Sequence, residues 1–356
     1  MKTVVVDFSN LDDMSGFGEI ARNYCPRLAQ TETPGLHFIF IVPEKHKGEF
    51  GDHIDYVGRE NLKRDIKPYR QQIDLWHATH QQYKYRMHGK GILQLLTVHD
   101  LNYLHEKHGI HLLKHKLKMP LMLRRSDAVA VISQYVKQDV ESHVPFLNKP
   151  LTVIYNGISD VENGQQSRPA FVDGDDQRFF LCIGQVREKK NVHTLIPMMQ
   201  LFPDHSLFIC GANHWAYSDR IRSMIAPEDC HRILLTGKIS DEEKRWLYAH
   251  AEALLFPSRL EGFGIPVLEA MRFGTKVFSS RYSCLPEVCS THASYWDSDE
   301  PAAMAKVVSE GLAEWRRDGQ AALEAKEYSR TFNYSRYTKQ YIQLYRRLLG
   351  VPGVQE

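Results

Sequence analysis

The 356-residue sequence has few of the features that mark membrane-spanning, zinc-binding or disulfide-stabilised proteins. No apolar run is long enough to cross a bilayer. The six cysteines contain no Cys-x-x-Cys pair, which argues against a zinc site and indicates reduced thiols rather than a disulfide framework. The first residues, MKTVVVDFSNLDD, turn acidic after one short apolar run and lack the apolar region of a signal peptide. We therefore expect a cytoplasmic protein.

The sequence also has almost no excess of charge of either sign. Its 45 basic and 43 acidic residues leave a net charge of +2, which argues against bulk binding of nucleic acid. An Asp-x-Asp metal motif in a catalytic setting is missing as well, because Asp12–Asp13 lies in a predicted loop and Asp297–Asp299 lies late in the chain. Tight His/Cys spacing is absent too, so we expect chemistry without a metal or another cofactor.

Short apolar runs alternate with helical patterns along the chain, which predicts a doubly wound α/β fold. Several runs are apolar nearly throughout, as in parallel strands that are covered on both faces. The predicted strands are Thr3–Phe8, His37–Val42, Asp74–Ala78, Leu93–Val98, Ala128–Ile132, Leu151–Ile154, Phe179–Ile183, Leu207–Cys210, Arg232–Thr236, Ala253–Phe256 and Lys276–Ser279. The predicted helices include Phe17–Ala29, Leu104–Arg124 and the amphipathic segment Arg336–Leu349.

A polar stretch divides this alternation in two. Residues Val161–Gln177 are rich in Gly, Asp, Gln and Pro and are the best linker candidate. We therefore predict two Rossmann-like domains with parallel sheets, residues 1–165 and 166–335, which face each other across a cleft. Ligands should bind at the carboxyl ends of the strands.

The segment FPSRLEGFGIPVLEAMRFG, residues 256–274, predicts a strand, a glycine loop and a short helix. Pro266 suits the first helical position and Gly274 the residue just past the end. Helix N-terminal amides bind anions, and glycines let the backbone approach a ligand closely. Glu261 and Glu269, on either side of this loop, can accept hydrogen bonds from hydroxyl groups. A ligand with a diphosphate between two sets of hydroxyl groups is a nucleotide sugar. The alternative interpretation of this segment is a helix cap in an ordinary αβ turn.

The spacing of Glu261 and Glu269 resembles the Glu-x7-Glu motif of retaining glycosyltransferases of the GT-B fold, family 4. The segment LPEV, Leu285–Val288, is also similar to that family. The resemblance implies that Glu261 faces the donor sugar and acts in catalysis, and that Glu269 holds the ribose. It also implies that the loop amides, at Gly262, Phe263, Gly264 and Ile265, meet the sugar and phosphates. A terminal helix, here residues 336–350, commonly packs back on the first domain in this family.

A cationic cluster follows the predicted strand Phe179–Ile183, where it can neutralise a diphosphate leaving group. By resemblance, Lys190 matches the lysine that contacts the diphosphate in the family. Gln185 stands where the family often has arginine, so that contact is either lost or supplied by Arg187. The alternative is an ordinary solvated charge cluster.

Three first-domain segments also resemble the family's binding elements. Gly16 and Gly18 match the glycine loop beside the donor phosphates and acceptor, although a plain loop in which Ser15 caps the next helix is the alternative. In the segment TVHDL, His99 and Asp100 match an element that reaches the donor sugar. His80 ends another predicted strand in the same way. Structural histidines are the alternative for these positions.

The segment Leu104–Arg125 is basic, with leucines interleaved. A solvated helix with one face in the core is the favoured interpretation. The alternative is a basic amphipathic surface, residues Lys107–Arg125, for an anionic membrane or a lipid-diphosphate acceptor. That contact would place the protein peripherally at the inner face of the cytoplasmic membrane.

Taken with the resemblance, these patterns predict metal-independent, retaining transfer of a sugar from a nucleotide-diphosphate sugar to a saccharide or lipid-linked acceptor hydroxyl. GDP-mannose is the first candidate donor and a UDP-sugar the second, in cell-surface polysaccharide or glycolipid synthesis. A non-catalytic nucleotide-sugar-binding subunit and a sugar-nucleotide epimerase on the same fold stay open. A phosphorylase would need a pyridoxal lysine, for which the sequence has no signature, and a nicotinamide oxidoreductase depends only on the weak Gly16-x-Gly18 match.

Overall fold

The computed structural model describes residues 1–13, 15–83, 85–145, 147–174 and 176–353. The chain folds into two compact units, the first comprising residues 1–159 with the residues from 332 onwards, and the second residues 160–331. The sequence places these boundaries after residues 165 and 335. The difference arises because Asp160 and Glu162 are already bonded to Arg272 of the second unit, at 3.1 Å and 3.2 Å.

The first unit contains a seven-stranded parallel sheet in the order β3-β2-β1-β4-β5-β6-β7. Its strands are β1 Lys2–Asp7, β2 Leu36–Val42, β3 Asp55–Gly58, β4 Ile73–Ala78, β5 Leu93–Val98, β6 Ala128–Val131 and β7 Leu151–Val153. The central strands are buried along most of their length, as the apolar runs predicted. The strand order reverses between β1 and β4, and such a reversal opens a crevice at the carboxyl ends of the two strands.

Among the described residues of 1–159, five α-helices accompany these strands. They are α1 Gly16–Gln30, α2 Leu62–Asp65, α3 Tyr103–Glu106, α4 Gly109–Arg124 and α5 Gln134–His143. The prediction of one continuous helix over Leu104–Arg124 is wrong. His108 adopts an extended conformation (φ −130°, ψ 162°), which separates α3 from α4.

The second unit contains a six-stranded parallel sheet in the order β10-β9-β8-β11-β12-β13. Its strands are β8 Phe179–Ile183, β9 Ser206–Cys210, β10 Ile233–Gly237, β11 Ala253–Phe256, β12 Lys276–Ser280 and β13 Ala293–Trp296. Its helices are α6 Leu195–Met198, α7 Ala216–Met224, α8 Asp241–His250, α9 Ile265–Phe273, α10 Leu285–Cys289, α11 Pro301–Arg317 and α12 Ala321–Arg330. Here the order reverses between β8 and β11. The two sheets confirm the predicted class of two Rossmann-like α/β domains.

The terminal helix α13, Tyr334–Leu349, returns to the first unit and packs on α1 and β4. Its buried tyrosines join a polar network inside that unit. Tyr345 hydrogen-bonds His77 Nδ1 at 2.7 Å, and Tyr341 hydrogen-bonds Thr97 at 2.8 Å. His77 Nε2 and the Thr97 hydroxyl lie 2.9 Å apart and link these two contacts. Buried polar groups gain from such pairing, so the network fixes where α13 docks.

Candidate functional site

The predicted glycine loop lies between β11 and α9 in the second unit. Gly264 precedes α9 with φ 89°, a left-handed conformation that favours glycine. A Cβ atom at this position would also lie 2.8 Å from Leu285 Cδ2. The helix begins at Ile265, so Pro266 occupies its second position rather than the predicted first. The loop therefore aims the N-terminus of α9 at the carboxyl edge of the sheet, where anion binding is predicted.

Lys190 and Glu261 form an ion pair at this edge. Their side chains are 15% and 13% exposed, so the pair is largely shielded from water. Lys190 follows β8 and Glu261 follows β11, and these are the two neighbouring strands at which the order reverses. The Glu261 N–H also donates to Ser283 Oγ at 3.1 Å, which fixes the backbone of the loop. The structure thus brings together a cation and a carboxylate that the sequence assigns to the diphosphate and the sugar.

Gln185 lies beside Lys190, and both line a small cavity of about 10 Å³ at the end of β8. The Lys190 ammonium lies 5.1 Å from the centre of the Phe256 ring, the last residue of β11. Arg187 is placed differently, with its guanidinium 5.1 Å from the centre of the Trp215 ring. Of these three residues, Lys190 and Gln185 share one wall and Arg187 stacks on a neighbouring aromatic side chain.

Glu269 lies inside the second unit, in the second turn of α9, and is 3% exposed. Its two carboxylate oxygens accept hydrogen bonds from Lys244 Nζ at 3.0 Å and from the Tyr248 hydroxyl at 2.9 Å. A ribose at this carboxylate would have to share it with these two donors. Neither donor was predicted from the sequence, because their four-residue spacing on one face of α8 gives no indication that they meet Glu269.

The remaining predicted residues of this loop can contact a donor through their backbone amides rather than through side chains. The Phe263 side chain is buried, and Gly262 precedes it in the same turn. Val267 N–H is bonded to Gly264 O at 3.2 Å, which tightens the first turn of α9. Ile265 begins the helix, so its amide lies where the positive end of the helix dipole is strongest.

In the first unit, α1 begins beside the loop that follows β1. A Cβ atom at Gly18 would lie 1.8 Å from Asp13 O, so only glycine allows this close approach. Gly16 is exposed and has open space around its Cα. Ser15 caps the helix, accepting from Gly18 N–H at 3.4 Å, as the plain-loop alternative expected.

Phe17, between these two glycines, joins His80 and His99 in an aromatic cluster. Its ring stacks on His80 with centroids 5.0 Å apart and meets the edge of His99 at 4.9 Å. These residues follow β1, β4 and β5, and so lie at the reversal of strand order in this sheet. Phe17 was not predicted from the sequence, although its position between two predicted site glycines was a usable signal.

Burial keeps both of these histidines neutral near pH 7. It lowers the pKa of His80 to about 4 and the pKa of His99 to about 4. His99 Nε2 donates to Thr79 O at 2.9 Å, and the backbone N–H of His99 donates to Gln81 Oε1 at 3.1 Å. His80 Nδ1 accepts from Gln82 N–H at 3.1 Å. Each imidazole is therefore held in a fixed orientation as a neutral hydrogen-bonding group.

Asp100, the other predicted residue here, is partly buried. Its Oδ1 accepts from Asn102 N–H at 3.0 Å, a local turn contact. Its carbonyl accepts from Gln81 Nε2 at 3.1 Å. Gln81, which was not predicted from the sequence, thus ties the ends of β4 and β5 together. The predicted site residues therefore form two groups, one at the strand-order reversal of each sheet.

The described ranges contain neither a metal-binding cluster nor a membrane-spanning helix. Within them, no group of three or more His, Cys, Asp or Glu side chains is arranged to hold a metal ion. Nor does any helix in the part of the chain that the structure describes have the length and apolar character needed to cross a membrane.

Comparison with known proteins places both units in glycosyltransferase families. Residues 20–161 match the sequence profile of Glycosyltransferase Family 4, and residues 165–332 match that of Glycosyl transferases group 1. Among curated relatives, the O-antigen chain mannosyltransferase RfbU of Salmonella typhimurium is 26% identical over 211 residues, 58% of this chain and 57% of that protein. The O-antigen chain mannosyltransferase B of Escherichia coli is 29% identical over 181 residues, 48% of this chain and 46% of that protein. The matches thus span about half the length of these relatives.

Solved structures share the whole fold. Sucrose-phosphate synthase from Thermosynechococcus elongatus superposes with a TM-score of 0.73 and 18% identity, over 99% of this chain and 100% of that one. HepE from Anabaena, in complex with UDP and glucose, gives a TM-score of 0.70 and 14% identity, over 98% and 100%.

The two parallel sheets, with a glycine loop and helix at the strand-order reversal of the second, have the GT-B fold. This chain belongs to the glycosyltransferases, with a Family 4 domain followed by a group 1 domain. The resemblance that rested on Glu261, Glu269 and Leu285–Val288 is confirmed at the level of the family.

Proposed function

We propose that this chain transfers mannose from GDP-mannose to an acceptor hydroxyl in the synthesis of a cell-surface polysaccharide or glycolipid. A UDP-sugar is the second candidate donor. The mannosyltransferases among the relatives support the first donor, and the UDP complex of HepE supports the second. The observation that carries the proposal is the ion pair of Lys190 with Glu261 beside the N-terminus of α9.

The ion pair of Lys190 with Glu261 suggests how the donor would bind. A diphosphate competes with Glu261 for the Lys190 ammonium, because both are anions that a lysine can bind. Once Lys190 turns to the diphosphate, the Glu261 carboxylate is released to accept a hydrogen bond from a sugar hydroxyl. Binding of the donor then replaces one internal ion pair with two contacts to the ligand. Lys190 lies beside the diphosphate, where negative charge develops as the leaving group departs.

The transfer is proposed to retain the anomeric configuration and to proceed without a metal. Lys190 and the amides at the start of α9 supply positive charge to the departing diphosphate. Neutral His99 is suited to accept a hydrogen bond from a sugar hydroxyl at Nδ1 without adding charge, whereas both ring nitrogens of His80 are engaged by Asn10 and Gln82. In this scheme the protein contributes mainly donor orientation and charge neutralisation rather than a covalent nucleophile.

Helix α4 supports a peripheral membrane contact. The sequence favoured a helix with one face in the core, and α4 does bury Met119, Met122 and Leu123. Its opposite face carries a second apolar stripe, in which Ile110, Leu113, Leu117 and Leu121 are between 47% and 78% exposed. At about 100° per residue these four side chains fall within an arc of roughly 80°. Lys114 and Lys118 lie on one side of the stripe and Lys116 on the other. Exposed leucines beside cations are typical of helices that lie in a membrane interface.

We therefore propose that the protein acts in the cytoplasm, with α4 at the anionic inner face of the cytoplasmic membrane and with a lipid-linked saccharide as acceptor. A lipid-linked acceptor would present its hydroxyl groups at that surface. The same stripe would then bring the enzyme to the substrate.

The test is a donor panel followed by analysis of the product. GDP-mannose, UDP-glucose and related donors are incubated with the protein, release of the nucleoside diphosphate is measured, and the anomeric configuration of the product is read by NMR. We expect GDP release from GDP-mannose, an α-linked mannoside, and full activity in EDTA. Donor binding without any turnover or hydrolysis would instead indicate a non-catalytic subunit. A β-linked product, or activity restored by magnesium after chelation, would contradict the retaining, metal-free scheme.

A further inference from the structure

A second cavity, of about 220 Å³, lies at the opposite edge of the second unit's sheet. Lys276, the first residue of β12, forms its floor, whereas the predicted donor residues follow the carboxyl ends of the strands. The last turn of α11 supplies Glu314 and Trp315, and the start of α12 supplies Glu324. With the length of the sheet between them, this cavity is separate from the Lys190–Glu261 pair.

Lys276 is an unusual residue for a buried position at the start of a strand. It is 9% exposed, and its Nζ makes no hydrogen bond or ion pair with any residue in the described ranges. The ammonium lies 4.9 Å from the centre of the Trp315 ring and 5.5 Å from that of Phe278. Burial lowers the pKa of this lysine, so the charge is carried at a cost to stability. Its N–H donors face the cavity and can bind acceptor groups of a ligand.

The cavity walls carry the opposite charge. Glu314, Asp318 and Glu324 in its lining are exposed carboxylates, and the partly buried His292 lines it too. Three carboxylates disfavour an anionic ligand, and the buried ammonium disfavours a cation at the floor. A neutral ligand can accept hydrogen bonds from the Lys276 ammonium and donate hydrogen bonds to the carboxylates. Trp315 adds the flat aromatic surface on which an apolar ring face can pack.

We infer that this cavity is a second saccharide-binding site that takes one neutral sugar unit. Hydroxyl groups of the sugar would accept from Lys276 Nζ and donate to the carboxylates. Pockets for drug-sized ligands have volumes of about 300–1,000 Å³, so about 220 Å³ suits something smaller, such as a single hexose ring. A sugar bound here is too far from the donor loop to react, so the site would hold a saccharide chain rather than the donor.

The test compares Lys276→Met with Glu261→Gln and the unchanged protein. Methionine keeps most of the buried alkyl volume of lysine and removes the ammonium. Methyl α-mannoside and methyl α-glucoside are titrated by calorimetry and by saturation-transfer NMR, with GDP present so that the donor site is occupied. Inorganic phosphate and spermidine serve as anionic and cationic probes.

We expect millimolar binding of at least one glycoside to the unchanged protein and to Glu261→Gln, and binding at least about tenfold weaker to Lys276→Met. The thermal midpoint of Lys276→Met should be equal or higher, because a buried charge has been removed. Should that variant fail to fold, the exposed double change Glu314→Gln with Glu324→Gln should lower glycoside affinity in the same way.

Three results would overturn the inference: no glycoside binding to the unchanged protein, equal binding to Lys276→Met or to the double glutamine variant, or tighter binding of phosphate or spermidine than of either glycoside. None of these depends on turnover. A negative result in this binding test would therefore not bear on the proposed transferase activity, which the donor panel tests separately.

Discussion

Lys190 and Glu261 each hold a charge that the other neutralises, and a donor is predicted to contact both. Lys190→Ala should weaken binding of GDP by at least about tenfold and leave guanosine almost unchanged, because a charge-assisted hydrogen bond contributes about 1.5–3 kcal/mol. Glu261→Gln should behave in the opposite way. It releases Lys190 for the diphosphate, so GDP should bind as well or better while turnover collapses.

Calorimetry with GDP and guanosine, alongside initial rates with GDP-mannose, checks both variants. Equal losses of guanosine and GDP affinity in Lys190→Ala would contradict a diphosphate contact. A fall in GDP affinity in Glu261→Gln would mean that this carboxylate supports the loop itself.

Glu269 makes a separate prediction, because its carboxylate is buried between Lys244 and Tyr248. If it also holds the ribose, the unchanged protein should bind GDP more tightly than 2′,3′-dideoxy-GDP, by about tenfold or more. Glu269→Gln keeps an acceptor for Tyr248 but weakens the ribose contact, so this preference should largely disappear. Tyr248→Phe is the matched control, since it removes a partner of Glu269 and leaves the carboxylate. A preference that survives in Glu269→Gln would limit this residue to a structural role.

The sequence identified many of these residues but not how they meet. Glu261 and Lys190 were each predicted from their own loop. Their contact depends on β8 and β11 being neighbours in the sheet, and alternation of strands and helices does not reveal strand order. The partners of Glu269 lie on another helix, and side-chain contacts between helices depend on the tertiary packing that the sequence pattern leaves open.

At the scale of the element, α4 yields the clearest prediction. Changing Lys114, Lys116 and Lys118 to glutamine should reduce sedimentation with anionic vesicles, because each cation near such a surface contributes about 1 kcal/mol. Changing Leu113 and Leu117 to serine should reduce it as well, and that loss should persist in high salt, where the lysine contribution is screened. Both variants should keep the GDP affinity of the unchanged protein. If the unchanged protein ignores anionic vesicles at low salt, α4 has no membrane role.

The bounds of strands and helices were predicted well where the apolar pattern of the sequence was strong. Long apolar runs located most strands to within a residue or two, because a parallel strand buried on both faces must be apolar. Strands β3 and β13 were missed, since DYVG and ASYW are only four residues long and mix polar with apolar side chains. The break at His108 was missed because the apolar pattern of leucines continues across it, and that pattern reflects an exposed stripe rather than a core.

For the whole molecule, the buried histidines predict sensitivity to mild acid. Burial lowers the pKa of His77 to about 3 and holds those of His80 and His99 at about 4, all in the first unit. Unfolded chains take up protons at these positions below about pH 6.5, so the stability that the neutral forms contribute is complete above that pH and declines as pH falls. Each group contributes up to about 1.4 kcal/mol per pH unit in that window.

Hydrogen exchange resolved by peptide tests this prediction. Between about pH 6.5 and about pH 5 the first unit should lose more protection than the second. Burial lowers the pKa of His193 and His292 in the second unit as well, but Glu252 there has its pKa lowered to about 2 and stays ionised. Relative to the unchanged protein, His77→Gln should lessen the decline, and the exposed control His108→Gln should not. An equal loss of protection in both units would contradict this assignment.

The return of α13 to the first unit also sets an order of events on the ribosome. The second unit is one continuous stretch of chain, residues 160–331, and can fold as soon as it has left the exit tunnel. Synthesis of the first unit begins earlier, but the unit cannot be complete until later, because Tyr341 and Tyr345, which close its buried network with Thr97 and His77, are made after residue 331. The nascent chain can therefore complete the second unit before the first, and the apolar face of α1 and β4 stays uncovered until α13 is made.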